Sequence, residues 1–240
     1  MTIPSSLATA FLAYLALVAA LIAAVLIRFL PARAAGVGVA ILVGWLTYAG
    51  ILGYSGAVAG QAFGIPGIVA LVAPVFVFVT VALVISPVGR YVAMRISLPL
   101  LIGLQTFRVG VELTLHKLWE VGAVPHLLTL PGGNVEILIG LSAPAIAWIS
   151  LKGANGRRIA VGWGVLGLLS LVNVSARAAL TGPLHLLHSE VPNVALGMFP
   201  FSFIPGFMAP LAVMLHVLAL RAASSARTRG RLDHSMELTA

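Results

Sequence analysis

The chain has 240 residues, 60% of them hydrophobic and only 8% charged, against about 25% charged in an ordinary soluble domain. With a mean hydropathy of +1.10, this composition excludes a soluble globular protein and a disordered one. The absence of cysteine excludes disulfides, thiolate metal sites, cysteine nucleophiles and thiolate-ligated iron–sulfur clusters. The net charge of +8 would suggest nucleic acid in a soluble protein, but here the charges collect at the ends of apolar runs, so no nucleic acid is expected.

Apolar runs near residues 7–27, 36–55, 67–86, 97–117, 135–151, 159–179 and 205–221 are each long enough, or nearly so, to cross a bilayer. The fold class expected is therefore all-α: a polytopic bundle of about seven transmembrane helices over residues 1–222, followed by a polar basic tail at 223–240. Arg28 and Arg33, Arg90 and Arg95, Lys152, Arg157 and Arg158, then Arg221, Arg227, Arg229 and Arg231 fall on alternate connections. They are 11 of the 14 basic residues, and positive-inside logic puts those connections in the cytoplasm. An odd number of spans then puts the amino terminus outside and the carboxyl terminus inside.

The first run is expected to be a retained anchor rather than a signal peptide, because Arg28 and Arg33 follow the apolar segment instead of preceding it. Pro74 and Pro144, inside the third and fifth runs, are expected to kink their helices. The tail is expected to be loosely ordered, with its arginines at lipid headgroups. No internal repeat is visible. Gly162, Gly164 and Gly167 match a dinucleotide-binding spacing, but without a preceding strand they read as small residues that let helices approach. Asn173-Val174-Ser175 matches a glycosylation acceptor, but inside an apolar run it reads as an interhelical hydrogen-bonding patch. The last run, Ile204 to Ala222, contains no lysine for a retinal Schiff base, and no cofactor is identified.

The sharpest signal is the spacing Gln105, Arg108, Glu112, His116, Glu120. At 100° per residue these side chains share an arc of about 120°, one face of one helix. An arginine at mid-span costs about 3 kcal/mol on insertion scales and needs a partner. Glu112, one turn along, is the expected one, with His116 a turn beyond. His216 lies at similar depth in the seventh run and is expected to share an interior cavity with the stripe, with Asn173 as a neutral neighbour. Asn134 and Glu136 read as a helix cap and a first-turn acid favoured by the helix dipole. On the outer connection, His185, His188 and Glu190 are metal-ligand candidates, beside Asn193, His126 and Glu120. Phe199-Pro200-Phe201-Ser202-Phe203 reads as an interfacial aromatic belt.

Two stretches carry a resemblance. The first is Phe107-Arg108, Val111-Glu112-Leu113, Pro125, Thr129, Gly132-Gly133-Asn134, Glu136-Ile137-Leu138 and Gly140-Leu141-Ser142-Ala143-Pro144. The second is Glu190-Val191-Pro192-Asn193, Phe199-Pro200-Phe201, Pro205, Pro210 and His216. Together they resemble a functionally uncharacterised family of bacterial multi-span membrane proteins, over about the carboxyl-terminal 60% of the chain. The resemblance implies a multi-pass protein of the bacterial inner membrane and transfers no site; His185 and His188 depart from its pattern.

The leading expectation is a protein that binds or transports a small ligand. Arg108 takes an anionic group, while Glu112 and His116 exchange protons. Two alternatives stand beside it. One is an intramembrane metal-dependent hydrolase with Glu112 or Glu190 as base, of which bis-histidine haem is a variant. The other is a structural partner in a membrane complex. The partners expected are the bilayer and a small molecule or ion.

Overall fold

Apolar segments in lipid must satisfy their backbone donors and acceptors internally, which favours helices. The computed structural model of the chain is accordingly almost entirely helical. It describes residues 3–182 and 186–237, with side chains as far as Ser224. In chain order come α1 (Ser5–Phe29) and α2 (Ala32–Tyr54), then a small hairpin of β1 (Gln61–Ala62) and β2 (Ile65–Pro66). The hairpin is antiparallel, pairing Gln61 with Pro66 and Ala62 with Ile65. Phe63 and Gly64 at its tip both have positive φ, as a two-residue turn of the mirror-image type demands.

Helix α3 (Gly67–Phe78) continues as a π-helical stretch to Ile85. The connection that follows forms its own helix, α4 (Pro87–Arg95), with Pro87 in the first turn and the Ser86 side chain accepting from Val88 N. A continuous rod, Leu98–Glu120, is built of α5 (Leu98–Gly103), a 3-10 turn (Leu104–Phe107) and α6 (Arg108–Glu120). Then come α7 (Glu136–Ile149), α8 (Gly153–Thr181), and a π-helical turn Ile204–Met208 leading into α9 (Ala209–Glu237). Helix α9 runs through the basic tail that the sequence reads as loosely ordered, a stretch free of proline.

Among the described residues, six helices are long and apolar enough to cross a membrane. The fifth expected run is the difference. Helix α7 has 14 residues, about 21 Å at 1.5 Å per residue, short of the roughly 30 Å of a hydrocarbon core. It lacks three residues of the expected run, Val135 before it and Ser150 and Leu151 after it, all of which lie in turns. The rod and α9 form the centre of the bundle. In their apolar windows 50% and 61% of residues are buried, against 17% in α2. Arg221 of α9 donates to the carbonyls of Leu83 and Val84, which brings the basic end of α9 beside the arginine-bearing α4.

Proline sets how α2 is attached. Pro74 has no N–H for the carbonyl of Ala70, and Pro210 none for that of Gly206. Tyr48 Oη donates to Ala70 O at 2.9 Å, and Trp45 Nε1 to Gly206 O at 2.7 Å. The two rings, three residues apart on α2, also touch each other, their centroids 5.2 Å apart. One face of α2 therefore repairs the ladders of two proline-broken helices. Tyr48→Phe and Trp45→Phe are each expected to lower stability by about 1 kcal/mol. Thermal unfolding in detergent measures this, and two unshifted midpoints would show that the freed carbonyls need no partner.

Candidate functional site

The site is assembled where the rod meets α7 and α9. The 3-10 turn Leu104–Phe107 sits at the middle of the rod, immediately before Arg108. Its opening marks a point where local backbone geometry changes inside an otherwise regular helix. Of the five stripe residues, Gln105, Arg108 and Glu112 are buried, each at most 5% exposed. His116 and Glu120 are about 40% exposed, beyond the bundle. They pair with each other at 3.4 Å, and Lys117 reaches Glu120 at 2.7 Å. Exposed pairs of this kind contribute little to stability. The helical period thus places all five on one face, but the neighbouring helices cover only three.

The partner of Arg108 is not Glu112. Arg108 makes its ion pair with Glu136 at the start of α7, and Arg108 Nη1 lies 2.9 Å from His216 Nε2 on α9. Glu112 instead accepts from Asn134 Nδ2 at 2.7 Å. Glu112 stays within electrostatic reach of Arg108, but its carboxylate is taken up by Asn134. A long-range carboxylate meeting the guanidinium head-on takes precedence. Glu136 also accepts from Ser170 Oγ of α8. The reading of Glu136 as a first-turn acid was therefore incomplete: it is 3% exposed and bridges three helices.

Asn134 joins the two carboxylates. Its Oδ1 accepts from Glu136 N at 3.1 Å, an Asx-type turn just before α7, whose N-cap position is Val135 rather than the Asn134 read from sequence, while Nδ2 donates to Glu112 and to Leu128 O. The irregular segment before α7 is held by Arg177 of α8, whose Nη1 donates to Gly132 O at 2.7 Å and also reaches Leu127 O. Gly132 and Gly133 are required in that turn. A Cβ on Gly132 would lie 2.0 Å from His126 O, and Gly133 has φ of +90°. Irregular backbone entering a bundle this far is tolerated when protein groups satisfy it.

His216 is fully buried, its ring 5.3 Å from that of Trp163 on α8. Gly167 makes room for it, in keeping with the small-residue reading of the 162–167 glycines. Asn173 does not join the cluster. It is exposed, and its Oδ1 accepts from Arg177 Nε one turn along α8 rather than from another helix. Sequence reasoning missed Ser170 and Trp163 as members, and gave Asn134 and Glu136 only capping roles. A second carboxylate inside an apolar run was the available signal, since only Glu112 and Glu136 are so placed.

Of the outer metal-ligand candidates, only His188 and Glu190 are described. His185 lies outside the described residues, and His188 is exposed. Glu190 accepts from the His126 backbone N at 2.7 Å. Among the described residues no group of three or more His, Asp or Glu is placed to hold a metal ion. Backbone N–H groups, its own and that of His126, hold the Glu190 carboxyl below the usual carboxylate range. A depressed folded value means that this contact is complete above about pH 4 and is lost as pH falls through that lower value. The His126 amide resonance is accordingly expected to move only as pH falls below the usual carboxylate range, and to lose that titration in Glu190→Gln. A titration unchanged by the substitution would show that the carboxylate does not bind there.

A family model described as a domain of unknown function, DUF8737, matches residues 65–223. The chain belongs to this family. The DUF8737 region contains every member of the buried cluster, from Gln105 to His216, whereas α1, α2 and their aromatic attachments lie before it. No curated protein and no solved structure matches the chain.

Proposed function

We propose that this is a multi-pass protein of the bacterial inner membrane, amino terminus outside and carboxyl terminus cytoplasmic, that binds a proton at its buried cluster and couples it to a small anionic ligand. Six apolar helices support the membrane setting, and the basic residues on alternate connections support the orientation, which needs an odd number of crossings and so counts the shorter α7 as the seventh.

The observation that carries the proton reading is a charge count in a closed site. Two carboxylates, Glu112 and Glu136, face one guanidinium, Arg108, with every side chain at most 5% exposed. His216 is neutral, because its Nε2 meets a guanidinium that can only donate. With both carboxylates ionised the cluster carries one uncompensated negative charge, which a low-dielectric interior disfavours strongly. Glu136 has the ion pair and the Ser170 hydroxyl; Glu112 has an amide. The proton belongs on Glu112. The carboxylate of Glu136 occupies the place that an anionic ligand group takes at Arg108, so admitting that group displaces Glu136 and adds negative charge that a further proton offsets.

Infrared difference spectra of the lipid-reconstituted protein, taken between acidic and alkaline pH, test this. The wild type is expected to show a protonated-carboxyl band that Glu112→Gln removes while circular dichroism is unchanged. A band of equal size in the variant, or no titrating carboxyl in the wild type, overturns the reading and leaves the cluster as a packing lock.

A further inference from the structure

Apart from Arg108 Nη2, which has the Glu136 carboxylate, two buried polar atoms of the cluster have no hydrogen-bond partner among the described residues: Gln105 Oε1 and His216 Nδ1. Their side chains are 1% and 0% exposed. What each atom requires follows from the bonds its side chain already makes. Gln105 faces the carbonyl of Ala212 at 3.0 Å, and only the amide Nε2 can donate to it, so the amide is fixed with Oε1 as an acceptor. Arg108 Nη1 can only donate, so His216 Nε2 accepts. A neutral imidazole whose Nε2 accepts carries its proton on Nδ1. A cationic ring would aim N–H at N–H beside a guanidinium.

One unpaired acceptor on the rod and one unpaired donor on α9 therefore stand where these two segments already meet twice, Gln105 at Ala212 and Arg108 at His216. Around His216 are the Trp163 ring and Gly164 and Gly167 of α8, surfaces that offer its Nδ1 no side-chain partner. Buried polar groups in folded proteins are paired with protein or with ordered water.

We infer that Gln105 and His216 form a binding site for ordered water, which accepts from His216 Nδ1–H and donates to Gln105 Oε1. The site is chemically complementary to water and not to a cation, since one of its two groups is a donor and Arg108 is adjacent. It also has a consequence for the cluster. Water on Nδ1 fixes the ring in the tautomer whose Nε2 serves Arg108, which makes Gln105 a positioning residue acting through water and His216. The site lies on the Gln105 side of Arg108, toward the Leu98 end of the rod, whereas Glu112 and Asn134 lie on the other side. It stands independently of the proton reading.

Solid-state NMR of protein with 15N-labelled histidine, reconstituted in lipid, tests the inference directly on the wild type. His216 is assigned by the resonances lost in His216→Gln. The expected result is a neutral ring protonated at Nδ1, with magnetisation transfer from water to that proton. In Gln105→Leu the water transfer is expected to disappear, and the preference for the Nδ1–H tautomer to weaken. A ring protonated at Nε2, or an Nδ1–H without water transfer in the wild type, overturns the inference. Retention of full water transfer in Gln105→Leu removes Gln105 from the site. The wild-type spectrum decides the matter even if the variant does not fold. The infrared band of Glu112 reports separately, so failure of the proton reading leaves this result distinguishable.

Discussion

Glu136→Gln is expected to destabilise the folded protein by about 3–5 kcal/mol, because it breaks a buried ion pair and takes from the Arg108 guanidinium the carboxylate that meets it directly. The side chains of the pair are 3% and 4% exposed, so solvent screening cannot rescue the arginine as it would on a surface. The same reasoning predicts a different outcome for removing both members. Arg108→Met with Glu136→Met takes both charges away and fills similar volume, and is expected to recover most of the loss. Thermal unfolding in detergent, with the two single variants completing the cycle, measures the coupling. If Glu136→Gln unfolds with the wild type, the pair is not the partner that holds Arg108. In that case Glu112 regains the role its position on the rod suggests.

The second large effect concerns His216. A Cβ on Gly167 would lie 2.4 Å from both Cε1 and Nε2 of His216, so Gly167→Ala must push the ring and break its 2.9 Å contact with Arg108. The expected cost is about 1–3 kcal/mol, as for other insertions into a close-packed interior. Gly162→Ala supplies the control within the same run of glycines. Nothing lies within 4 Å of its Cβ, and exchanging glycine for alanine in a helix is favourable by up to about 1 kcal/mol. Opposite signs for two identical substitutions five residues apart are the result expected in detergent unfolding. Equal effects would show that the ring is free to move aside.

The aromatic attachments of α1 and α2 extend the same argument to the part of the chain that precedes the DUF8737 match. Tyr14 Oη donates to Phe107 O beside the 3-10 turn, as Tyr48 and Trp45 donate to the carbonyls that Pro74 and Pro210 leave free. All three contacts fall where a helix ladder is interrupted. The amino-terminal pair of helices therefore meets the rest of the bundle through polar groups at irregular points, and through apolar faces elsewhere, such as Phe11 against Phe201.

Most of the helices are legible in sequence, because each depends only on residues close in the chain. Runs such as Ser5–Phe29 and Gly153–Thr181 declare themselves by hydropathy. The single polar face of Gln105, Arg108 and Glu112 follows from the helical period. Helix α4 escaped that reading because hydropathy sees a connection where a proline and a serine cap start a short helix. Helix α7 was read too long because Val135, Ser150 and Leu151 continue the run by hydropathy while their backbone lies in turns.

The pairing inside the cluster was not legible in the same way. Sequence spacing ranks Glu112 first for Arg108, since they are four residues apart, and nothing local distinguishes Glu136, 28 residues away. Asn173 and Ser170 are both polar residues of one apolar helix, yet only Ser170 reaches the interior. Which face of α8 turns inward depends on where α7 and α9 lie against it. By itself the sequence determined the composition, the helices and the existence of a costly arginine on a polar face, all short-range properties of a chain in an apolar medium. Only the tertiary structure decided that Arg108 binds Glu136 and His216 while Glu112 is left to Asn134, because burial and contact are set by helices that approach from distant parts of the chain.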